Sequence, residues 1–161
     1  MILVTVGTQL PFDRLVHTVD HWAAAAGRTD VLAQIGAGRA PSRLRWVRSL
    51  APDVFREQLE KASLVVAHAG VGVTLSALRA GRPVILLPRR AELGEHRSEH
   101  QVATARRLAV WPGVRVCDDV EALLSALDAP PAPPPAGVLS DAAPAPMLEA
   151  VRAFVFATEA A

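Results

Sequence analysis

The sequence predicts an α/β fold, a Rossmann-like, doubly wound parallel sheet, on three observations. Short apolar runs alternate with amphipathic stretches through the first 128 residues, as strands alternate with helices. Two of the runs, Leu64-Val65-Val66-Ala67 and Val84-Ile85-Leu86-Leu87, are apolar on both faces, as strands covered from both sides must be. Glycine or proline ends most of the runs, which is where a strand gives way to a loop.

The first run, Ile2 to Val6, stops at Gly7. Pro11 suits the first turn of a helix, Phe12, Leu15, Val16 and Val19 follow at helical spacing, and Gly27 ends it. Val31 to Ile35 is a second strand, closed by Gly36-Ala37-Gly38, and Leu44 to Val47 a short third. Pro52 opens a helix with Phe55, Leu59 and Ala62 on its apolar face. After the strand at Leu64, Gly70 to Gly72 leads into a helix that runs through Ala80 and stops at Gly81. Val84 to Leu87 ends at Pro88; a helix is expected from about His96 to Leu108, then a strand at Val114 to Val116. Val120, Leu123, Leu124 and Leu127 mark one more helix. The expected organisation is a Rossmann-like domain over 1–128, a stiff Pro/Ala-rich linker over 129–144, extended from Ala129 to Pro135 and closing the globular core, and a C-terminal helix over 145–161. That helix would carry Met147, Leu148, Val151 and Val155 on one face, for docking on the core or on a partner.

Composition narrows the function classes. A chain of 161 residues fits one domain able to bury a core without disulfides or metals. Hydrophobic residues make up 51%, yet no apolar run reaches the roughly 18 residues of a membrane span. The N-terminus has none of the marks of a signal peptide, so the expectation is a soluble cytoplasmic protein. A formal net charge of +1 argues against bulk nucleic-acid binding. Arg39, Arg43, Arg45 and Arg48 read as a solvated face, whereas Arg79, Arg82, Arg89, Arg90 and Arg97 flank a glycine-rich segment. Cys117, the single cysteine, is expected to be structural.

In a doubly wound sheet ligands bind at the carboxyl ends of the strands, which directs attention to three loops. His68-Ala69-Gly70-Val71-Gly72-Val73-Thr74 follows a buried strand and opens a helix. Its glycines allow close backbone approach, and the free N–H groups and dipole of the helix start suit an anion such as a diphosphate. Gly7-Thr8-Gln9 places a second glycine turn at the same edge. Pro88 to Gln101 adds a dense polar segment, in which arginine suits phosphate, and Glu, His and Gln suit sugar hydroxyls.

Taken together, VTVGTQ (residues 4–9) with FDRLV (12–16), VVAHAGVGVTL (65–75) with ALRAGRPVILLPRR (77–90), and LGEHRSEHQ (93–101) resemble the C-terminal, donor-binding domain of family 28 glycosyltransferases, over Met1 to Leu108. The likeness is to stand-alone subunits, such as the donor subunit of the dolichol-pathway N-acetylglucosaminyltransferase and bacterial exopolysaccharide or capsule subunits. The resemblance implies one lobe of a GT-B fold, a UDP-sugar donor and no metal or other cofactor. It also implies a second, membrane-associated subunit that binds a lipid-linked acceptor, supplies the general base and recruits this chain to the inner face of the membrane. Carried over by position, His68, Gly70, Gly72 and Thr74 would lie at the diphosphate, aided by Arg89. Glu95, His96, His100 and Gln101 would face the sugar, with Gly7 and Thr8 nearby, and uracil would stack near Leu50 to Val54. Two positions depart from the pattern. Val73 stands where many members have Thr or Ser, and Ser76 where members often have a carboxylate for the ribose.

Three rival readings remain. His96-Arg97-Ser98-Glu99-His100 matches the H-x-x-E-H pattern of zinc peptidases, with Glu149 the distant third ligand. Gly70-Val71-Gly72 gives two glycines of a dinucleotide fingerprint, though Leu86-Leu87-Pro88 stands where the acid should follow. Finally, the chain could be a non-catalytic nucleotide-sugar-binding module.

Overall fold

The computed structural model describes residues 1–140 and 142–157. Six parallel strands form one sheet in the order β3-β2-β1-β4-β5-β6: β1 (Ile2–Thr5), β2 (Val31–Gln34), β3 (Arg45–Val47), β4 (Leu64–His68), β5 (Val84–Leu87) and β6 (Val114–Val116). Between them run α1 (Asp13–Ala25), α2 (Pro52–Lys61), α3 (Val71–Arg79) and α4 (His100–Leu108), and α5 (Val120–Asp128) follows β6. This is the expected Rossmann-like class, and the strand order is that of the doubly wound dinucleotide-type sheet.

Period-two alternation splits the core between the two faces. Ile2, Val4, Val66, Ile85 and Leu87 pack with Phe12, Leu15 and Val19 of the first helical segment and with Leu123 and Leu127 of α5. Leu3, Val65, Ala67, Val84 and Leu86 pack on the other face with Leu59, Ala77, Leu78 and Leu108. The chain therefore leaves β1 toward one face and β4 toward the other. These two strands are neighbours, so a crevice opens between their carboxyl ends, where Gly7 and Gly70 lie.

Asp20 ties α1 to the loop that leads into β3. Its buried carboxylate accepts the backbone N–H groups of Ser42, Arg43 and Leu44, each at 2.9 Å. Burial alone would raise its pKa, but these three donors outweigh that and hold the carboxyl below the usual range.

Cys117 is buried, and burial pushes its thiol up to about 11. The folded chain should therefore resist maleimide at neutral pH and label stoichiometrically on denaturation. Rapid labelling of the native protein, read by mass spectrometry, would contradict this burial.

Two boundaries differ from expectation. The fourth helix begins at His100 rather than near His96, because turns occupy 91–99. Gly94 adopts φ +69°, the Glu95 carboxylate is drawn to Arg14 and the Arg90 N–H, and Glu99 accepts the Ala91 N–H at 2.7 Å. The core also continues past Ala129: Pro134 is buried against Gly113, and Val138 and Leu139 pack on the second cluster. Apolar contacts made by the segment itself thus override its linker-like composition. Beyond it, α6 (Ala145–Ala157) exposes Met147, Leu148, Val151 and Val155. The parts of the expected linker and C-terminal helix at Asp141 and 158–161 lie outside the described residues. Among those described, no helix is long and apolar enough to cross a membrane.

Candidate functional site

A cavity of about 950 Å³ opens at the carboxyl ends of β1, β2, β4 and β5. The amino end of α3 forms one wall. Gly70, at the N-cap position, has no side chain to satisfy the first N–H groups, and no side-chain cap is made there. A Cβ built on Gly72 would meet nothing within 4 Å, so its backbone borders open space. The helix start therefore presents donors and the positive end of its dipole to the cavity, which is the arrangement that binds anions.

The His68 ring fills the gap between this helix start and the Gly7 turn. Gly7 has φ +77°, and a Cβ there would come within 2.6 Å of the ring's Cε1. A Cβ on Gly70 would collide with Nε2 of the same ring. Glycine at both positions is what lets the imidazole reach the cavity between two loops.

Burial first, and the nearby Arg89 guanidinium second, depress the His68 pKa from 6.5 to about 4. Between these values the unfolded chain binds the proton and the folded chain does not. Stability is therefore complete above about pH 6.5 and is lost as pH falls toward 4. Discounted for partial exposure, the loss is about 2 kcal/mol. Chemical denaturation at both ends of this window should show it, and His68→Gln should flatten the slope; an unchanged slope would contradict the assignment.

Most of the expected site residues gather here. Gly7, Thr8 and Gln9 of the first loop, His68, Gly70, Gly72 and Ser76 of the second segment, and His96, His100 and Gln101 of the third all line the cavity. Leu50, Pro52 and Phe55 also line it, in and beside the segment expected to hold a base.

Three expectations change. Thr74 does not present its hydroxyl to the cavity; fully buried, it donates to the Gly70 carbonyl at 2.8 Å. Glu95 lies outside the cavity lining. Its carboxylate is held by Arg14 Nε and Nη2, both at 2.7 Å, and also accepts the Arg90 N–H. Arg89 borders the cavity, but its guanidinium is spent on the first loop: it donates to the carbonyls of Val6 at 2.8 Å, Leu10 at 2.7 Å and Pro11, and lies over the Phe12 ring. It is 2% exposed, and burial lowers its pKa to about 10, which leaves it charged at neutral pH. Gln101 lines the cavity while its Oε1 accepts the Arg89 N–H at 3.1 Å.

Sequence reasoning missed Gln34 and Arg56, which both line the cavity. Gln34 is buried at the end of β2, donates to the Gly7 carbonyl at 3.4 Å and accepts the Leu50 N–H at 3.1 Å, so it links the two loops. An amide closing an otherwise apolar strand was the available signal. Arg56 gave none, being one of several charges on a solvated helix.

The H-x-x-E-H premise fails in its geometry, because His96 precedes α4 and the two histidines do not share a helical face. Among the described residues no three His, Cys, Asp or Glu side chains are grouped to hold a metal. A second, more open groove lies over α1, lined by Asp13, Arg14, His17, His21 and Arg39.

The family described as the glycosyltransferase family 28 C-terminal domain matches residues 1–129. The human UDP-N-acetylglucosamine transferase subunit ALG13 is 30% identical over 109 residues, covering 61% of this chain and 10% of that protein. The mouse protein of the same name is 31% identical over 107 residues, with 60% and 9% covered. The chain thus spans about a tenth of these curated relatives. Among solved structures, the glycosyltransferase of kitacinnamycin superposes with a TM-score of 0.59 at 22% identity, covering 79% of this chain and 33% of that one. MurG of Acinetobacter baumannii gives 0.56 at 18% identity, with 78% and 40% covered. The solution structure of ALG13 gives 0.56 at 18% identity, with 93% of each chain covered. At these identities the structural likeness concerns the fold.

Proposed function

The chain belongs to the glycosyltransferase family 28 C-terminal domain family, and from that premise we propose that it is the donor-binding subunit of a two-component glycosyltransferase. It takes a UDP-sugar, carrying N-acetylglucosamine or another hexose, and passes the sugar to a lipid-linked acceptor in polysaccharide or glycolipid synthesis. The observation that carries this reading is the uncapped start of α3, with Gly70 and Gly72 bordering a cavity large enough for a nucleotide sugar.

In this arrangement the α3 N–H groups receive the diphosphate and stabilise the charge that gathers on it as the glycosidic bond to the leaving UDP breaks. Gly7, Thr8 and the His68 ring close the phosphate end. His96, His100 and Gln101 border the sugar, and Ser76 reaches toward the ribose. Phe55 and the loop at Leu50 receive the base. Thr74, Glu95 and Arg89 shape the walls through their internal bonds, without touching the donor.

Glu60, on α2, is the one carboxylate among the lining residues, at the end assigned to the nucleoside. In this reading the general base and the acceptor come from a second, membrane-associated subunit that closes the cavity and recruits this chain to the inner face of the membrane. The exposed apolar face of α6 suits contact with that subunit.

The test is transfer of label from UDP-N-acetylglucosamine into solvent-extractable lipid, with the chain alone, with source-cell membranes lacking it, and with both. Activity confined to the mixture is expected. Transfer by the isolated chain would overturn the two-component reading. Donor binding without transfer in any mixture would favour a non-catalytic binding module.

A further inference from the structure

His68 occupies a position that makes its charge state a structural matter. Its ring is wedged between the Gly7 turn and the Gly70 turn, with Nδ1 enclosed and without a hydrogen bond of good geometry; the Thr5 backbone favours the charged ring, but burial outweighs it. Nε2 lies on the side of the Gly70 turn, where the α3 start meets the cavity. β1 contributes no charged side chain to this contact, only the backbone around Thr5 and Gly7. The loop after β5 contributes Arg89 and His96, and α4 contributes His100 to the same cavity. The nearest carboxylate of that loop, Glu95, is committed to Arg14 and acts on Arg89 rather than on the ring. The imidazole is therefore flanked by a buried, permanently charged guanidinium and by no carboxylate. Both burial and a like charge disfavour a second positive charge at that point. Arg89 also fixes the loop that covers the ring, through the carbonyls of Val6, Leu10 and Pro11.

We propose that His68 meets the diphosphate as a neutral imidazole, and that Arg89 is the positioning residue that keeps it so, clamping the β1–α1 loop beside the ring and supplying a fixed charge behind it. This rests on the UDP-sugar reading of the cavity and refines it. The ligand's charge is met by the α3 N–H groups and a fixed cation, so binding needs no proton uptake at His68. The direction of the His68 shift, downward to about 4, agrees with the geometry.

The experiment is a site-resolved NMR titration of the histidine rings in the full chain, free and saturated with UDP, since His96 and His100 share the cavity. The free His68 ring should stay neutral well below the ordinary histidine range. UDP at neutral pH should shift its resonances without protonating it. Arg89→Met should raise its midpoint by about one unit or more, and Arg89→Lys, which keeps the charge, by much less; a purely structural Arg89 would move neither midpoint. If Arg89→Met does not fold, the wild-type titrations and Arg89→Lys decide. Ordinary titration of free His68, or its protonation on UDP binding, overturns the inference and leaves the donor site standing. UDP that leaves His68 unmoved removes both.

Discussion

Gly72→Asp should weaken UDP binding at least a hundredfold while leaving the fold intact. A Cβ at this position meets nothing within 4 Å, and Gly72 is not among the glycines with positive φ, so the chain can carry a side chain there. An acidic residue in the first turn of a helix is, if anything, mildly stabilising, by some tenths of a kcal/mol. The same carboxylate would stand beside the proposed diphosphate, a separation on the order of 4 Å for groups sharing one helix start. At an effective dielectric near 20, each unit of like charge at that distance costs about 4 kcal/mol, and screening leaves enough for about two orders of magnitude in affinity. Calorimetric titration with UDP beside a thermal melt separates the two effects, with Gly72→Ala as the uncharged control. Unchanged affinity in Gly72→Asp would place the anion elsewhere.

Asp20→Ala should cost about 3–4 kcal/mol of stability. Three backbone donors at 2.9 Å converge on this carboxylate. Water can reach the exposed Ser42 and Arg43, but Leu44 is buried, and its N–H would be left without a partner. For a domain of this size the melting temperature should fall by about 10 °C. Asp20→Asn keeps one acceptor and should lose roughly half as much. A loss under about 1 kcal/mol in Asp20→Ala would mean that the loop rearranges to hydrate all three donors. UDP affinity should fall only modestly, because the loop leads into β3 and borders the base end of the cavity indirectly.

The contrast between these two residues indicates what a sequence discloses. Gly72 was legible because it sits at a strand-to-helix turn, where local spacing alone marks a glycine-lined helix start. The strands were legible for a related reason. Runs such as Leu64 to Ala67 are apolar on both faces, and no other element of that length buries both. Asp20 carried no signal in the sequence, since the donors it serves lie more than twenty residues away. The same holds for Glu95 and Arg89. Both were assigned to the ligand from their chemistry, yet each is consumed by partners about eighty residues distant, Arg14 for the first and the loop at Val6 to Pro11 for the second. Charge and donor type can be read from a residue, but the direction in which it points is settled by packing. The start of α4 was misplaced for that reason too, because Glu95 and Glu99 satisfy loop N–H groups instead of opening a helix. The Pro/Ala-rich stretch misled through composition, since three of its apolar residues, Pro134, Val138 and Leu139, return to the core.

The most direct test of the donor-binding claim is a backbone amide NMR titration of the chain with UDP. The account predicts the largest, saturable shifts at the amides of Val71, Gly72 and Val73, with smaller ones at Gly7, Thr8 and Leu50, and none across the α1 groove of Asp13, His17 and Arg39. Shifts centred on that groove, or shifts near α3 that adenosine monophosphate reproduces at equal concentration, would contradict it.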